Sequence, residues 1–147
     1  MSSPHGLRIA QPRGDDALGD WRYVHNAVIP VKPLSLAEVR ERAGRNHLDL
    51  AVADGVLVGS TTVRPPRDGV ATVIARVLPA HRRRGYGEQL YASALRRAHA
   101  LGATAIETCV LASNEAGLRF ARAHGFTEIE RYVLPGSTIP WVDLRRE

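Results

Sequence analysis

The stretch 79-PAHRRRGYGEQL-90 links an apolar run to an amphipathic one, and it decides how the chain is interpreted. Four of its first six residues are basic, and Gly85 and Gly87 flank a tyrosine where a helix is predicted to begin. The first backbone N–H groups of a helix have no helical acceptor, and the helix dipole adds partial positive charge there. Glycines lack the Cβ atoms that would keep an anion away from those donors. The stretch therefore predicts a diphosphate-binding loop.

The arginines of this stretch, Arg82, Arg83 and Arg84, would neutralise charge at the rim of such a loop. Two familiar phosphate-binding patterns do not fit. A dinucleotide fingerprint requires a third glycine where this chain has Leu90. A nucleoside-triphosphate P-loop requires Gly-Lys followed by Ser or Thr, and the only lysine is Lys32.

Periodicity along the rest of the chain predicts a mixed α/β order. A Ser35 and Glu38 capping-box spacing begins one short helix, and Gly44 is predicted to end it. Asp54-Gly55 predicts a hairpin turn. The run 70–79 is apolar on both faces except for Arg76, which indicates a central strand. The predicted strands are 6–12, 48–55, 56–65, 70–79, 104–112, 126–134 and 139–146, and the predicted helices are 15–28, 35–44, 87–101 and one from 113 or 114 to Gly125.

Composition is that of one globular domain, 1–147, with 44% hydrophobic and 24% charged residues. No apolar run reaches membrane-spanning length and the first 14 residues lack a signal-peptide core, so a soluble, unexported protein is expected. The single Cys109 fits a reducing, cytoplasmic setting. The net charge of +5 is compatible with nucleic acid as a partner. No aromatic residues are interleaved with the arginines to stack on bases, however, so nucleic acid is not an expected partner, and neither is a membrane.

Two motifs stand out in this sequence: Arg82-x-x-Gly85-x-Gly87, and Asn114 followed by an apolar helix face and Gly125-Phe126. Together they resemble the motifs of the GNAT superfamily of acyl-coenzyme-A-dependent N-acyltransferases. The first is similar to the signature of its coenzyme A pyrophosphate loop, and the second to its Asn-…-Gly-Phe segment. The predicted order of elements agrees over 6–146.

The resemblance implies a single-domain α/β (α+β) fold. Its mixed, mostly antiparallel sheet would have about six or seven strands, with about four helices and a V-shaped splay between parallel strands 70–79 and 104–112. The pantetheine arm would pair with backbone groups near Val77 and Leu78, and the amides from Arg83 through Tyr86 to Gly87 would hold the pyrophosphate. Asn114 would hydrogen-bond the pantetheine arm or fix the loop, with a plain helix N-cap as the alternative.

The resemblance leaves the catalytic groups open. Many members of the superfamily have a tyrosine acid seven residues after the asparagine, where this chain has Ala121. Glu107 is the candidate base, acting through water, and its alternative is a structural pairing with an arginine such as Arg76. His81 and His124 are expected at the surface. Other hydroxyl candidates for the acid are Tyr132 and Tyr91, although Tyr91 lies on an apolar helix stripe.

The sequence therefore predicts an N-acetyltransferase that moves an acetyl group directly from acetyl-coenzyme A to a primary amine of a small molecule or peptide. No metal is expected, the partner is the amine acceptor, and a homodimer is compatible with the edges of the terminal hairpin. The alternative is a coenzyme-A-binding scaffold or sensor domain of the same fold that has lost turnover, because Ala121 stands where an acid is usual.

Overall fold

Seven strands and four α-helices make up residues 6–147, which the computed structural model describes; residues 1–5 of the predicted domain lie outside this range. In chain order the elements are β1 (Leu7–Ala10), α1 (Gly14–Val28), α2 (Leu36–Arg45), β2 (His47–Ala53), β3 (Val56–Arg67), β4 (Val70–Val77), a 3-10 turn (Pro79–His81), α3 (Tyr86–Ala100), β5 (Ala105–Leu111), α4 (Glu115–Ala123), β6 (Thr127–Tyr132) and β7 (Trp141–Arg146). They form one sheet in the order β1-β2-β3-β4-β5-β7-β6. Only β4 and β5 are parallel, so the predicted mixed, mostly antiparallel sheet is confirmed.

Local turn and cap chemistry explains several element boundaries. Asp54 (φ 50°) and Gly55 (φ 80°) both take left-handed conformations in the predicted hairpin turn. The capping box is also present, because the Glu38 N–H donates to Ser35 Oγ and the Ser35 N–H donates to the Glu38 carboxylate. The predicted end at Gly44 is wrong by one residue, because α2 continues through Gly44 to Arg45. The next residue, Asn46, has an extended backbone and ends the helix.

β3 ends two residues beyond its predicted end at residue 65. β3 continues through Pro65 and Pro66 to Arg67, and its register with β4 is irregular between Arg64 and Arg67. Proline has no N–H to give to a strand ladder, so the pairing is interrupted there while the chain stays extended. A second tight turn at Asp68 and Gly69, both with positive φ, then leads into β4.

Helices cover both faces of the sheet. α3 and α4 pack on one face, where the buried cluster includes Val73, Ala94, Leu118, Val142 and Leu144. α1 and α2 cover the opposite face with a smaller cluster of Trp21, Leu34, Val39, Leu48 and Leu50. Within the described residues, no helix has both the length and the apolar content needed to cross a membrane.

The two parallel strands separate after a short paired segment. β4 and β5 are matched over only three residue pairs, from Val70 with Ala105 to Thr72 with Glu107. Beyond Thr72, β4 remains paired with β3, and β5 remains paired with β7. The predicted V-shaped splay between these strands is therefore confirmed, and it opens toward the stretch 79–90.

Candidate active site

A cavity of about 420 Å³ fills the widening gap between β4 and β5. Its walls come from both strands, the loop before α3, the start of α4 and the end of α1; the lining includes Arg76, Val77, Gly87, Cys109, Asn114 and Ala121. The cavity therefore joins the two motifs that lie about 27 residues apart in the sequence. Among residues 6–147, no group of three or more His, Cys, Asp or Glu side chains is arranged to hold a metal ion.

The loop 82–87 forms the mouth of this cavity. Gly85 precedes α3 in a left-handed conformation (φ 80°), and the first helical bond runs from the Gln89 N–H to the Gly85 carbonyl. The N–H groups of Tyr86 and Gly87 lie before that bond, as at any helix N-terminus. The side chains of Arg82, Arg83 and Arg84 are exposed around them. The predicted diphosphate loop thus has its donors and its cations in one place.

Gly87 leaves the cavity open at the start of α3. A Cβ atom added there would lie 3.6 Å from Cε1 of Phe120 and 3.9 Å from Cγ2 of Val77, both ordinary contacts. The protein alone would therefore accept alanine at this position. What the missing side chain provides is free volume beside the backbone donors.

Of the two strand-end residues predicted to meet a pantetheine arm, Val77 is the better placed. The Leu78 N–H donates to the Val58 carbonyl, and the Leu78 carbonyl accepts from the His81 N–H. Backbone groups of successive strand residues point to opposite sides, so those of Val77 point toward the gap. The Val77 carbonyl already accepts from Nε of Arg82 at 3.1 Å, which leaves its N–H for a ligand.

Asn114 caps α4. Its Oδ1 accepts from the Gly117 N–H at 3.0 Å, so the structural alternative for this residue is correct. The side chain also lines the cavity, and its Nδ2 atom lies so close to Gly117 that a Cβ there would approach it to 2.6 Å. One side chain can therefore cap the helix through its oxygen and present its amide nitrogen to the cavity.

The position of the usual tyrosine acid carries no proton donor. Ala121 is buried in α4 and lines the cavity. The neighbouring Phe120 packs its ring 4.1 Å from that of His124 and 5.9 Å from that of Tyr91. Tyr91 is itself buried, as expected, and its hydroxyl oxygen accepts from Nη1 of Arg146.

The structure does not bring Glu107 to the cavity. Nε and Nη2 of Arg145 donate to its Oε2 atom at 3.1 and 2.7 Å, and Glu107 is absent from the cavity lining. The structural pairing anticipated for this glutamate therefore exists, but naming Arg76 as its partner was wrong. Register explains the error, because Arg145 on β7 lies directly opposite Glu107.

Tyr132 and Asp143, which belong to neither sequence motif, form a hydrogen-bonded pair beside the cavity. The hydroxyl of Tyr132 donates to Oδ1 of Asp143 at 3.1 Å, and Asp143 lies opposite cavity-lining Cys109. Burial, and then the negative charge of Asp143, raise the pKa of Tyr132 to about 12. Burial also raises the pKa of Asp143, although the Tyr132 hydrogen bond opposes this. Burial raises the pKa of the Cys109 thiol, which disfavours a thiolate nucleophile.

The two histidines expected at the surface are both partly enclosed. His81 lines the cavity. His124 lies 2.7 Å from the Phe120 carbonyl through Nδ1 and 2.8 Å from Glu88 through Nε2. Desolvation lowers the pKa of His124, but these two hydrogen bonds outweigh it and the net shift is upward. Neither side chain is a plain surface residue.

The sequence profile of the acetyltransferase (GNAT) family matches residues 16–126. The chain belongs to this family of acyltransferases. A mycothiol acetyltransferase from Stackebrandtia nassauensis is 37% identical over 81 residues, which cover 55% of this chain and 26% of that protein. The chain thus spans about a quarter of the length of this curated relative.

Solved structures show the same fold at low sequence identity. Ard1 from Thermoplasma volcanium superposes with a TM-score of 0.82 at 15% identity, covering 96% of this chain and 97% of that one. YncA from Salmonella typhimurium, solved with its cofactor acetyl-CoA, gives 0.77 at 15% identity over 97% and 94%. The ribosomal-protein-S18-alanine N-acetyltransferase from Escherichia coli gives 0.76 at 18% identity over 95% and 92%.

Proposed function

We propose that this protein is an N-acetyltransferase that moves an acetyl group from acetyl-coenzyme A to a primary amine by direct transfer. The observation that carries the proposal is the cavity between β4 and β5, which is continuous with the N–H donors at the start of α3. Backbone donors and a helix dipole fit a diphosphate, and a narrow gap between strands fits an extended arm. Acetyl-coenzyme A supplies an activated thioester acyl group.

This geometry supports the donor-binding residues that the family resemblance implies. The amides from Arg83 to Gly87 would bind the pyrophosphate, with the guanidinium groups of Arg82 to Arg84 around it. The Val77 N–H would pair with the pantetheine arm, and Nδ2 of Asn114 would hydrogen-bond the same arm. Leu78 would contribute packing only, because its backbone groups already have partners.

Direct transfer needs a neutral amine, and we assign its deprotonation to Asp143 through a water molecule. Its carboxylate lies across the strand pair from Cys109, and the raised pKa of Asp143 makes it a better base than an exposed aspartate. Tyr132 would hold the carboxylate in position, since its own pKa of about 12 keeps the phenol protonated. Neither Asp143 nor Glu107 lines the cavity itself, which is why a water molecule is needed. Glu107 is the weaker candidate because two bonds from Arg145 already engage its carboxylate.

The second candidate is a coenzyme-A-binding scaffold or sensor domain without turnover. Buried Ala121 favours it, because no side chain at that position can protonate the leaving thiolate. Holding two substrates in reacting geometry nevertheless supplies roughly 7 to 11 kcal/mol in well-oriented systems, and a thiolate is a tolerable leaving group. Transfer without the tyrosine is therefore chemically sound. A cytoplasmic location, where acetyl-coenzyme A is made and used, belongs to the same proposal.

The deciding experiment measures thiol release from acetyl-coenzyme A with a broad panel of primary amines, including amino acids, aminosugar conjugates and peptides. Calorimetric coenzyme A binding is measured on the same protein. Binding with amine-dependent thiol release supports the enzyme. Binding without release from any amine favours the scaffold, and failure to bind coenzyme A contradicts both.

A further inference from the structure

Arg76 is a buried cation in the wall of the active-site cavity. It lies on β4 beyond the last pair with β5, and its side chain is only 9% exposed. Strand alternation places it with Ile74 on the face covered by α1 and α2, away from α3. Arg76 therefore lines the side of the gap opposite the diphosphate loop.

The guanidinium of Arg76 has no hydrogen-bonding or ion-pair partner among residues 6–147. The acidic residues of β5 and β7 on the Cys109 side of the sheet are already engaged. Glu107 accepts both bonds from Arg145, and Asp143 accepts from Tyr132. Buried arginines in folded proteins are normally paired with an acid or with several carbonyl groups. An unpaired arginine in a cavity wall is free to bind an anionic group of a ligand.

Two further arginines increase the positive potential on this side. The charges of Arg42 on α2 and Arg64 on β3 both act on Arg76. Burial, together with these like charges, lowers the pKa of Arg76 to about 10, although Cys109 opposes the shift. The group is still protonated at neutral pH. Arg42 is balanced in part by Glu38 and Glu41 on its own helix, whereas Arg76 has no such neighbour.

We propose that the acceptor amine carries an oxyanion, a carboxylate or a phosphonate, and that Arg76 binds it. This inference rests on the proposed acetyltransferase function and names the substrate class of the same site. A planar guanidinium matches the two oxygens of a carboxylate or phosphonate, and burial strengthens the pair. The amine would enter from the α1 and α2 side while the donor occupies the α3 side. α-Amino acids and their phosphonate analogues fit this description.

A polyanionic partner such as nucleic acid does not fit Arg76. Its guanidinium lies inside the cavity rather than on an exposed surface, so a phosphodiester backbone would not reach it. The donor diphosphate is also excluded as its partner. The loop 82–87 lies at the N-terminus of α3, and α3 packs on the other face of the sheet. The two anion sites are thus separate, one made of backbone amides and the other of a side chain.

The test compares each amino acid of a panel with its own carboxamide as acetyl acceptor. We expect kcat/KM to be about 100-fold or more higher for the acid of the best pair, the size typical of a buried, hydrogen-bonded charge pair. The amide has the less basic amine and thus more free nucleophile, so amine ionisation cannot cause this preference. The matching aminophosphonate distinguishes the two oxyanions, and a preference for either oxyanion over the carboxamide supports the proposal.

Two variants then assign the effect. Arg76→Gln should remove the preference, lowering kcat/KM for the acid about 100-fold while the amide changes less than about threefold. Coenzyme A affinity should be unchanged. The matched control is Arg145→Gln, on the same face but already paired with Glu107, and it should keep the preference. Amides accepted as well as acids by the wild-type protein would overturn the inference and leave the acetyltransferase function standing.

A binding measurement tests the anion site separately in case no amine supports turnover. If no amine supports turnover, the proposed function fails, and the anion site is tested by thermal unfolding with coenzyme A plus an N-acetyl amino acid or its amide. A rise in Tm with the acid alone, absent in Arg76→Gln, supports the site. No difference between acid and amide overturns it. If Arg76→Gln does not fold, the wild-type comparison of acid and amide decides.

Discussion

Glu107 and Arg145 face each other on β5 and β7, and both guanidinium bonds converge on a single carboxylate oxygen. The pair is partly exposed, at 25% for Glu107 and 38% for Arg145, so it contributes modestly to stability. Its main consequence is that the Glu107 carboxylate is held by a β7 side chain and stays outside the cavity lining.

Glu107→Gln should therefore change kcat by less than about threefold and lower the free energy of unfolding by about 1 kcal/mol. Steady-state kinetics and urea unfolding at pH 7 measure these two effects. Glu128→Gln, which breaks a comparable pair with Arg131 on neighbouring β6, is the control. A loss of kcat of about 100-fold with unchanged stability would instead make Glu107 the base.

Asp143→Asn should lower kcat by about 100-fold or more if Asp143 accepts the amine proton, the usual size of a general-base effect. In the wild-type protein, kcat/KM should fall as pH drops through the pKa of Asp143, which burial holds above its ordinary value. Tyr132→Phe removes the bond that lowers this pKa, so the acidic limb should move to higher pH. An unchanged limb in Tyr132→Phe would contradict the assignment.

Gly87→Glu should weaken coenzyme A binding at least about 50-fold, because a carboxylate would occupy the diphosphate site and repel it. Gly87→Ala is the matched control, since its Cβ makes only ordinary contacts with Phe120 and Val77. Its Tm should equal that of the wild type. Calorimetric titration with coenzyme A measures both variants, and unchanged affinity in Gly87→Glu would refute the loop assignment.

Asn114→Ser separates the two roles of Asn114. Serine is as good an N-cap as asparagine, so stability should change by less than about 0.5 kcal/mol. Asn114→Ala removes the cap and should cost about 1 kcal/mol. Both variants lose Nδ2, and both should bind coenzyme A more weakly by a similar factor. Normal affinity in Asn114→Ser would restrict this residue to capping.

His25 should make the protein sensitive to acid. Burial, and then the charge of Arg76, lower the pKa of His25 to about 4 from its ordinary value of 6.5. Because the folded state favours the neutral ring, the associated stability is complete above pH 6.5 and is lost as pH falls toward 4. The loss reaches about 3 kcal/mol. Urea unfolding from pH 7 to pH 4 should show this slope in the wild type and in His99→Gln, an exposed control, but not in His25→Gln.

Local chemistry made much of this fold predictable. Asp54-Gly55 and the Ser35 capping box act within a few residues, and Gly85 and Gly87 identify the loop before α3. Their conformations depend little on the rest of the chain. Periodicity along the chain predicted the element order, and the family resemblance, which includes the motif at Asn114, implied the splay.

Relationships between distant strands were beyond the sequence. β7 inserts between β5 and β6, and this order sets Arg145 against Glu107 and Asp143 against Cys109. Register of this kind depends on the whole sheet. Arg76 stood out as the one charge in an apolar strand, but only the structure shows that it lines the cavity without an ion-pair partner among residues 6–147.

Three residue pairs are all that join β4 to β5. The sheet therefore consists of two smaller sheets, β1 to β4 and β5 to β7, that are paired with each other at one end only. Elsewhere the two halves share one buried cluster, which contains Val73 of β4 and Val142 of β7 together with Tyr91 of α3. The Tyr91 hydroxyl also accepts from Nη1 of Arg146 on β7. An extended ligand that hydrogen-bonds to both strands would bridge the separated ends of β4 and β5. Occupancy of the gap would therefore join the two smaller sheets into one continuous, stiffer sheet.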